Sequence, residues 1–383
     1  MKNCFYIPRL LIPSKERTNW SVIACDRFKN ERSYWESETA ARGANPSALN
    51  LILPEVQLGE NDEEEFARMR EEAYAALEND YLEKLLRGWV LTERKTSSYT
   101  RYGIVGAIDL ECFSYGGGDG QVRSLQGADD ELVRAYLKQR ENAPIEMPHI
   151  MILYDDPKDR AVSALFKEDL EKLYDYKITG GSLKGYFLSE EIAEETAERI
   201  LSRVQNLYVI EGVAAAEAAK VFWQKVKAGI TKGEMGRHPA RFLLAEFVNL
   251  SDDAVDIQPV HRLVKETEKE AFCDFFSKKF KCEKKGSLLV PKIAFSKENI
   301  QAVDEAIAEF LKADGGKVAC VHGEERLKKF AEEEGSAGVL MPRPKKESLL
   351  KEIGEGLLPA NSLCVGGAEG ARYYVEAREI SYD

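Results

Sequence analysis

One stretch of the chain combines a buried strand, a tight turn and a helix, an arrangement that can bind anions. Residues 207–210 are apolar and predict a strand, Glu211 and Gly212 predict the turn, and residues 213–227 predict a helix that Gly229 ends. At such a junction in an α/β protein, the free amides of the helix start lie where an anion or a catalytic group can bind. Glu211 adds a carboxylate to this position.

Further polar residues lie close to predicted strands and are candidates for substrate binding. Arg140, Glu141 and Asn142 precede a strand that begins at His149, where a charge-assisted pair would orient an anionic substrate. The alternative is that they cap and fix the strand entry. Asp26 follows an apolar run and is either a substrate or metal carboxylate or a turn cap.

His261 and Arg262 follow Pro259 at the end of an apolar strand. They would bring a titratable base and a guanidinium fork for phosphate to one rim, or form a hydrogen-bonded pair between elements. His149 lies within an apolar strand and is interpreted as a satisfied core histidine. The seven cysteines and four histidines show no metal-ligand spacing, so no metal ligand is predicted.

The composition is that of an ordinary globular protein, with 44% hydrophobic and 31% charged residues. A net charge of −12 repels a phosphate backbone, which argues against a nucleic-acid partner. Apolar runs are far shorter than the roughly 20 residues that span a bilayer, and the first residues do not resemble a signal peptide. We therefore expect a cytoplasmic protein with a small-molecule partner, and a homodimer is compatible with the sequence.

The order of elements predicts a mixed α/β fold, with mixed sheets flanked by helices and a large domain with a smaller C-terminal lobe. Residues 1–265 would form the main domain, 266–335 a lobe of helices and strands, and 336–383 a segment that returns to the main domain.

Local patterns assign the elements. Residues 10–12 and 49–53 predict strands, residues 60–87 an amphipathic helix, and residues 163–174 a second helix.

Several segments are typical of one protein family. They are residues 20–26 (WSVIACD), 46–55 (PSALNLILPE), 140–150 (RENAPIEMPHI), 238–241 (HPAR), 259–262 (PVHR) and 373–378 (YYVEAR). Over essentially its whole length the chain resembles a bacterial and archaeal family known as domain of unknown function ten-fifteen.

The resemblance implies a chemistry. Family members carry an Asp-Gly-Asn/His-His-Ser/Arg motif at a strand–turn–helix junction, similar to the signature box of the ParB-like superfamily, which includes a kinase for free serine. They also tend to be encoded beside serine-biosynthesis enzymes. This implies phosphoryl transfer to serine or a related metabolite, with a nucleotide and Mg²⁺ as candidate cofactors. The helix start would hold a phosphate while a carboxylate from a second segment accepts the hydroxyl proton.

This chain departs from the family pattern at both parts. Glu211 replaces the Asp, and residues 213–215 are Val, Ala and Ala. The Thr-Glu or His-Glu pair of the family falls at Leu125 and Gln126, and an amide cannot act as a general base. The candidate catalytic residues are Glu211, His261 and Arg262, and the candidate substrate-binding residues are Arg140, Glu141, Asn142, Asp26, Gly212 and Gln126.

Three interpretations follow from this pattern. The chain is a decayed or divergent small-molecule phosphotransferase, either a kinase or a phosphatase. Alternatively, it is a non-catalytic ligand-binding or regulatory protein linked to serine metabolism. In the third interpretation the helix start is packed shut by its alanines and the region has a structural role alone.

Overall fold

The computed structural model describes residues 3–15, 20, 24, 28, 31–59, 62–115, 120–141, 143–178, 180–354, 356–366 and 371–381. The chain divides into two compact units. Unit 1 contains Met1–Ser124, Asp129–Val255 and Arg372–Asp383, and unit 2 contains Leu125–Ala128 and Asp256–Ala371. The expected domain boundary at residue 265 falls at the end of a strand of unit 2.

The strands follow one another along the chain in this order. They are β1 (Phe5–Tyr6), β2 (Arg9–Pro13), β3 (Leu82–Thr96), β4 (Thr100–Asp109), β5 (Val122–Ser124), β6 (Ile145–Glu146), β7 (Ile150–Tyr154), β8 (Lys172–Ile178), β9 (Gly181–Ser189), β10 (Leu207–Glu211), β11 (Phe242–Asn249), β12 (Ile257–Lys265), β13 (Cys282–Lys285), β14 (Leu288–Pro291), β15 (Lys317–His322), β16 (Ala337–Val339), β17 (Leu363–Val365) and β18 (Ala377–Glu379).

The helices lie between these strands. They are α1 (Arg32–Arg42), α2 (Asp62–Glu78), α3 (Asp130–Arg140), α4 (Arg160–Leu165), α5 (Glu190–Leu201), α6 (Val213–Gly229), α7 (Lys232–Met235), α8 (Lys269–Lys279), α9 (Lys297–Asp314), α10 (Glu324–Ala331) and α11 (Leu349–Ile353). None of the helices in the described ranges is long and apolar enough to cross a membrane.

Unit 1 is built on a mixed sheet of twelve strands. Its main order is β5-β10-β7-β11-β4-β3-β2-β18-β6, with β1 paired to β4, and the hairpin of β8 and β9 joined to β3 through β9. The pairs β5/β10 and β7/β11 are parallel, whereas the other pairs are antiparallel. All eight residues of β11 are buried, as expected for a central strand covered on both faces. Helix α5 packs on β3 and β9, and α6 packs on β7 and α3.

Unit 2 contains a mixed sheet of six strands in the order β13-β14-β16-β12-β15, with β17 also paired to β12. Helix α10 packs against β12, β15 and β16 and contributes Leu327 and Ala331 to a core with Leu263, Leu288 and Val321. The two sheets confirm the predicted mixed α/β fold with helices on the sheets.

Three local predictions were wrong, two of them because strand pairing overrides a helical pattern. The helix predicted over residues 60–87 ends at Glu78, and β3 begins at Leu82 because its ladders with β2 and β9 override the helical spacing. The helix predicted over 163–174 ends at Leu165, and the residues from Lys172 pair with β9. In place of the strand predicted over 49–53, residues Ala48–Asn50 form a short 3₁₀ helix that Ser47 caps, and residues 51–53 belong to no strand.

Candidate functional site

The strand–turn–helix junction forms as predicted at β10 and α6. Gly212 has a φ of 74°, a left-handed conformation that glycine adopts without steric cost, and an added Cβ would lie 2.9 Å from Ile150 Cγ2. In the described part of the chain, α6 has no side-chain cap and no acidic residue in its first turn. The buried Glu211 pairs with Arg372, with 3.3 Å between Oε2 and Nε. The junction therefore offers backbone amides, while its carboxylate is held by a buried cation.

A small cleft of about 60 Å³ lies beside the start of α6. Ala215 and Arg140 both line it, so the structure brings one predicted substrate-binding residue next to the junction. Ala215 occupies the position at which the family resemblance implies a serine or arginine. The cleft therefore has little polar side-chain chemistry at the helix start.

Arg140 belongs to a buried cluster centred on Glu146, here called the Glu146 cluster. Arg140 pairs with Oε2 of Glu146, and Arg378 donates to Oε1 from Nε at 2.9 Å and from Nη2 at 2.7 Å. The Leu244 amide also donates to Oε1 at 2.8 Å. Burial raises the pKa of Glu146, but the charges of the two guanidinium groups outweigh it and lower that pKa below its usual value. Both carboxylate oxygens are satisfied.

Three other predicted substrate-binding residues are Glu141, Asn142 and Asp26. Glu141 is partly exposed and pairs with Lys225, with 2.7 Å between Oε1 and Nζ. Asn142 and Asp26 lie outside the described residues.

His261 and Arg262 belong to unit 2 and are buried. His261 Nδ1 accepts from the Met341 amide at 3.2 Å. Burial, helped by the charge of Arg262, lowers the pKa of His261 to about 4, so the ring is neutral at pH 7. Arg262 donates to Asp304 from Nε at 2.7 Å and from Nη2 at 3.0 Å, and its Nη1 donates to two backbone carbonyls. Both side chains are engaged within unit 2.

Gln126, also in unit 2, is bonded to the backbone of β17 and the residue before it. Its Oε1 accepts from the amides of Ser362 at 2.7 Å and Leu363 at 2.9 Å, and its Nε2 donates to the Leu363 carbonyl at 3.1 Å. A carboxylate at this position would meet the Leu363 carbonyl without a proton to donate. The amide thus suits the fold in a way that the family's glutamate would not.

A second group of buried ionisable residues lies on the unit 1 sheet. It consists of His149, Glu246, Glu376, Tyr174 and Arg101 and is here called the His149 cluster. His149 Nε2 lies 3.3 Å from Glu246 Oε2, and Nδ1 lies 3.9 Å from Glu376 Oε2. Arg101 Nη2 is 3.7 Å from Glu246 Oε2, and the Tyr174 hydroxyl donates to Glu376 Oε1. Every member is less than 9% exposed.

Two glycines make room for this cluster on the sheet. An added Cβ at Gly103 would lie 2.1 Å from Glu246 Oε1, and one at Gly185 would lie 2.2 Å from the Tyr174 ring. The glycines let the carboxylate and the phenol lie flat across β4 and β9. Thr92, on the strand between them, donates to Glu246 Oε1 at 3.0 Å.

Comparison with known proteins places the chain in a family. The family model described as "Protein of unknown function (DUF1015)" matches residues 8–342. The chain belongs to this family. No curated protein sequence matches it.

The solved structures that match this DUF1015 protein are distant from it. A conserved hypothetical protein from Pyrococcus furiosus is 10% identical, with a TM-score of 0.39 over 71% of this chain and 94% of that one. A free serine kinase in complex with AMP is 8% identical, with a TM-score of 0.39 over 72% and 91%. SbnI with a C-terminal truncation, from Staphylococcus aureus, is 7% identical, with a TM-score of 0.36 over 69% and 83%.

The two carboxyl groups beside His149 in the DUF1015 chain have opposite pKa shifts. Burial raises the pKa of Glu246, but the charge of Arg101 and the contacts with His149 and Thr92 lower it, to about 2. Burial also raises the pKa of Glu376. The contacts with His149 and Tyr174 lower that pKa by less, so the net shift is upward. Pairs of titratable groups with divergent pKa values are typical of acid–base sites. Three buried polar atoms of the cluster have no hydrogen bond of good geometry among the described residues: Nδ1 and Nε2 of His149, and Oε2 of Glu246.

Glu246, Glu376 and Tyr174 were not among the predicted site residues. His149 is buried as expected, yet it is not the satisfied core histidine that was predicted. Glu246 had a signal in the sequence, because it is the single charged residue in the buried strand β11. In the described ranges, no group of three or more His, Cys, Asp or Glu side chains is arranged to hold a metal ion.

Proposed function

We propose that this DUF1015 protein binds a small anionic metabolite at the start of α6 and does not transfer a phosphoryl group to it. The observation that carries the proposal is the helix start itself. Val213, Ala214 and Ala215 offer backbone amides and no acid, base or hydroxyl. Such amides, with the helix dipole, favour a bound negative charge without any side chain.

The residues that phosphoryl transfer would need have other partners. A transferase requires a positioned phosphate and a base for the attacking hydroxyl. Glu211 is paired with Arg372, and the Gln126 amide is bonded to backbone on both of its ends. These contacts favour the ligand-binding interpretation over an active kinase.

The family resemblance supplies the first ligands to test, namely adenine nucleotides, serine and O-phosphoserine, each with and without Mg²⁺. Isothermal titration calorimetry of the full chain measures binding, and transfer of a radiolabelled γ-phosphate from ATP to serine measures activity. We expect binding of at least one phosphate-bearing probe and no transfer above the rate without protein. Transfer by the natural chain would contradict the proposal.

A charge placed at the helix start tests the location. Ala215→Glu puts a carboxylate in the first turn of α6, where it favours the helix but repels an anion. We expect the affinity for the phosphate-bearing probe to fall at least tenfold. Ala228→Glu makes the same charge change at an exposed position near the other end of α6 and serves as the control. Equal affinities of the two variants would place the ligand elsewhere.

A restored variant separates a decayed kinase from a binder. Residues 213–215 are changed to Asn, His and Ser, with and without Gln126→Glu. We expect no phosphoryl transfer from either protein, because the environment of Gln126 accommodates an amide and not a carboxylate. A gain of serine-dependent transfer would favour a decayed enzyme.

A further inference from the structure

A second cavity in unit 1, of about 400 Å³, is rich in arginine. Arg9, Arg87, Arg237 and Arg378 line it, and Glu379 is the single carboxylate among its lining residues. Its volume lies within the range of small-molecule pockets. In a protein with a net charge of −12, four guanidinium groups around one cavity form a local positive field.

Strand pairing places two of these arginines directly opposite each other. In the antiparallel ladder of β2 and β3, Arg9 is the partner of Arg87. Like charges at directly opposed positions destabilise a sheet. Beyond this pair the ladder continues through the buried residues Leu11 and Leu82, with an irregularity in register between Arg9 and Leu11. The repulsion is therefore built into the sheet.

The charges of the cavity are unevenly compensated. Arg378 is 3% exposed and is held by Glu146, and Arg87 pairs with Glu190. Glu379 pairs with Lys84, with 2.7 Å between Oε1 and Nζ, so its charge is already matched. In the described part of the chain, the side chains of Arg9 and Arg237 have no hydrogen-bond or ion-pair partner.

One wall of the cavity is rigid and apolar. The Tyr6 ring stacks on Phe242, with 3.7 Å between centroids and 8° between planes. Pro8 and Pro239 also line the cavity. A ligand thus meets fixed apolar surface beside two uncompensated guanidinium forks, and such forks bind carboxylate and phosphate groups in a bidentate manner.

We propose that this cavity is a binding site for a compact dianion, either a phosphate or a dicarboxylate, held between Arg9 and Arg237. A bound dianion would provide the counter-charge for Arg9 and Arg237. It would also screen the repulsion between Arg9 and Arg87. The site is separate from the α6 start and does not depend on the function proposed above.

The test uses the full chain at low ionic strength, with inorganic phosphate and succinate as separate probes. Calorimetry gives the affinity, and thermal unfolding followed by tryptophan fluorescence gives the stabilisation. All four tryptophans lie in unit 1, so the fluorescence reports the unit that holds the cavity. We expect saturable binding of at least one probe and a rise in the unfolding temperature. The stronger probe identifies the anion class.

The decisive variant is Arg9→Gln, with Arg134→Gln on the exposed face of α3 as the control. Arg9→Gln removes the repulsion with Arg87, so we expect an unfolding temperature at or above that of the natural chain without ligand. We also expect at least a tenfold loss of affinity and the loss of most of the ligand-induced stabilisation. The control should change affinity less than twofold.

Two results would overturn the proposal. One is that Arg9→Gln and Arg134→Gln bind the probe equally, which would indicate non-specific attraction to surface charge. The other is that Ala215→Glu removes phosphate binding while Arg9→Gln retains it, which would leave the α6 site as the anion site. Retention in Ala215→Glu with loss in Arg9→Gln supports the arginine cavity, whatever the outcome at α6.

Discussion

Glu146 and Glu246 are two buried carboxylates of the same unit, and their surroundings differ in one respect. Both lie on strands, both have arginine neighbours, and the pKa of each is held below its usual value. Glu146 accepts hydrogen bonds from two arginines and one backbone amide, so both of its carboxylate oxygens are bonded. Oε1 of Glu246 accepts a hydrogen bond from the Thr92 hydroxyl. Its Oε2 lies 3.7 Å from Arg101 Nη2 and 3.3 Å from His149 Nε2, without the geometry of a hydrogen bond.

The difference separates a structural cluster from one with unused capacity. A buried polar group without a good partner costs about 1–3 kcal/mol, so fully paired clusters are what stability alone favours. The Glu146 cluster meets that standard. The His149 cluster does not, although glycines at positions 103 and 185 make space for it. The His149 nitrogens and Oε2 of Glu246 therefore retain unused hydrogen-bonding capacity.

The largest expected effect comes from replacing each glutamate by its amide. In Glu146→Gln, the amide nitrogen meets a buried guanidinium and leaves it unpaired, so we expect a loss of about 3–5 kcal/mol. In Glu246→Gln, the buried Arg101 loses its carboxylate, but that ion pair is longer, at 3.7 Å, and the new amide can donate to His149 Nε2, so we expect a smaller loss of about 2–3 kcal/mol. Urea unfolding followed by tryptophan fluorescence measures both losses.

The control is Glu141→Gln, which removes the exposed ion pair with Lys225. We expect this variant to lose less than about 1 kcal/mol of unfolding free energy.

Equal losses for Glu146→Gln and Glu246→Gln would remove the distinction between the two clusters. A larger loss for Glu246→Gln would reverse it.

The buried His261 extends the comparison to unit 2. His261 accepts a hydrogen bond from the Met341 amide, and burial lowers its pKa to about 4 from 6.5. Because the folded-state pKa lies below the unfolded one, its contribution is complete above pH 6.5 and is lost as the pH falls through 4. The shift of about 2.5 corresponds to roughly 3 kcal/mol.

Hydrogen exchange at the Met341 amide measures this loss between pH 7 and pH 4. In His261→Gln the amide oxygen can still accept from Met341, and its stability should depend less on pH over that interval. An NMR titration midpoint of the His261 ring near 6.5 would contradict the expectation.

Local signals in the sequence were sufficient for several elements that position the sites. Ser189 caps α5 through its hydroxyl, Gly212 turns the chain into α6, and the apolar run of β11 forms a buried strand. Each of these depends on residues within a few positions of one another. The start of β3 at Leu82 was missed because its pairing with distant strands overrides a helical pattern.

The partners within the sites are much farther apart along the chain. Tyr174 and Glu376 are separated by 202 residues, and Gln126 and Leu363 by 237. Periodicity cannot identify such pairs. Buried charge offers a partial signal, since a glutamate within an apolar strand must have a partner somewhere in the fold. That argument selects Glu246 but does not identify His149 as its neighbour.

A methyl group at Gly103 tests whether Glu246 lies across β4. Gly103→Ala would place Cβ 2.1 Å from Glu246 Oε1, and we expect a loss of about 1–3 kcal/mol from overpacking. Gly229→Ala, where nothing lies within 4 Å, is the matched control and should be neutral or stabilising by up to about 1 kcal/mol. The cost at Gly103 should largely disappear in the Glu246→Ala background. A cost that persists there would assign it to the strand backbone.

The smallest effect is expected from Glu376→Gln, and its dependence on pH is the informative part. Burial, reinforced by the charge of Glu246, raises the pKa of Glu376 above 4.5, so its contribution to stability is complete below pH 4.5 and is lost as the pH rises through the folded-state pKa. The amide still accepts from Tyr174 and carries no charge. The variant should therefore gain stability relative to the natural chain between pH 4 and pH 8, by tryptophan-monitored thermal unfolding.

Glu246 shifts the other way: its pKa is lowered to about 2, so its contribution is complete above pH 4.5 and is lost only as the pH falls towards 2. The pKa values of the two carboxyl groups on either side of the His149 ring are thus shifted in opposite directions. If the difference in stability between Glu376→Gln and the natural chain is the same at pH 4 and pH 8, folding does not raise the pKa of Glu376 and the contrast with Glu246 is lost.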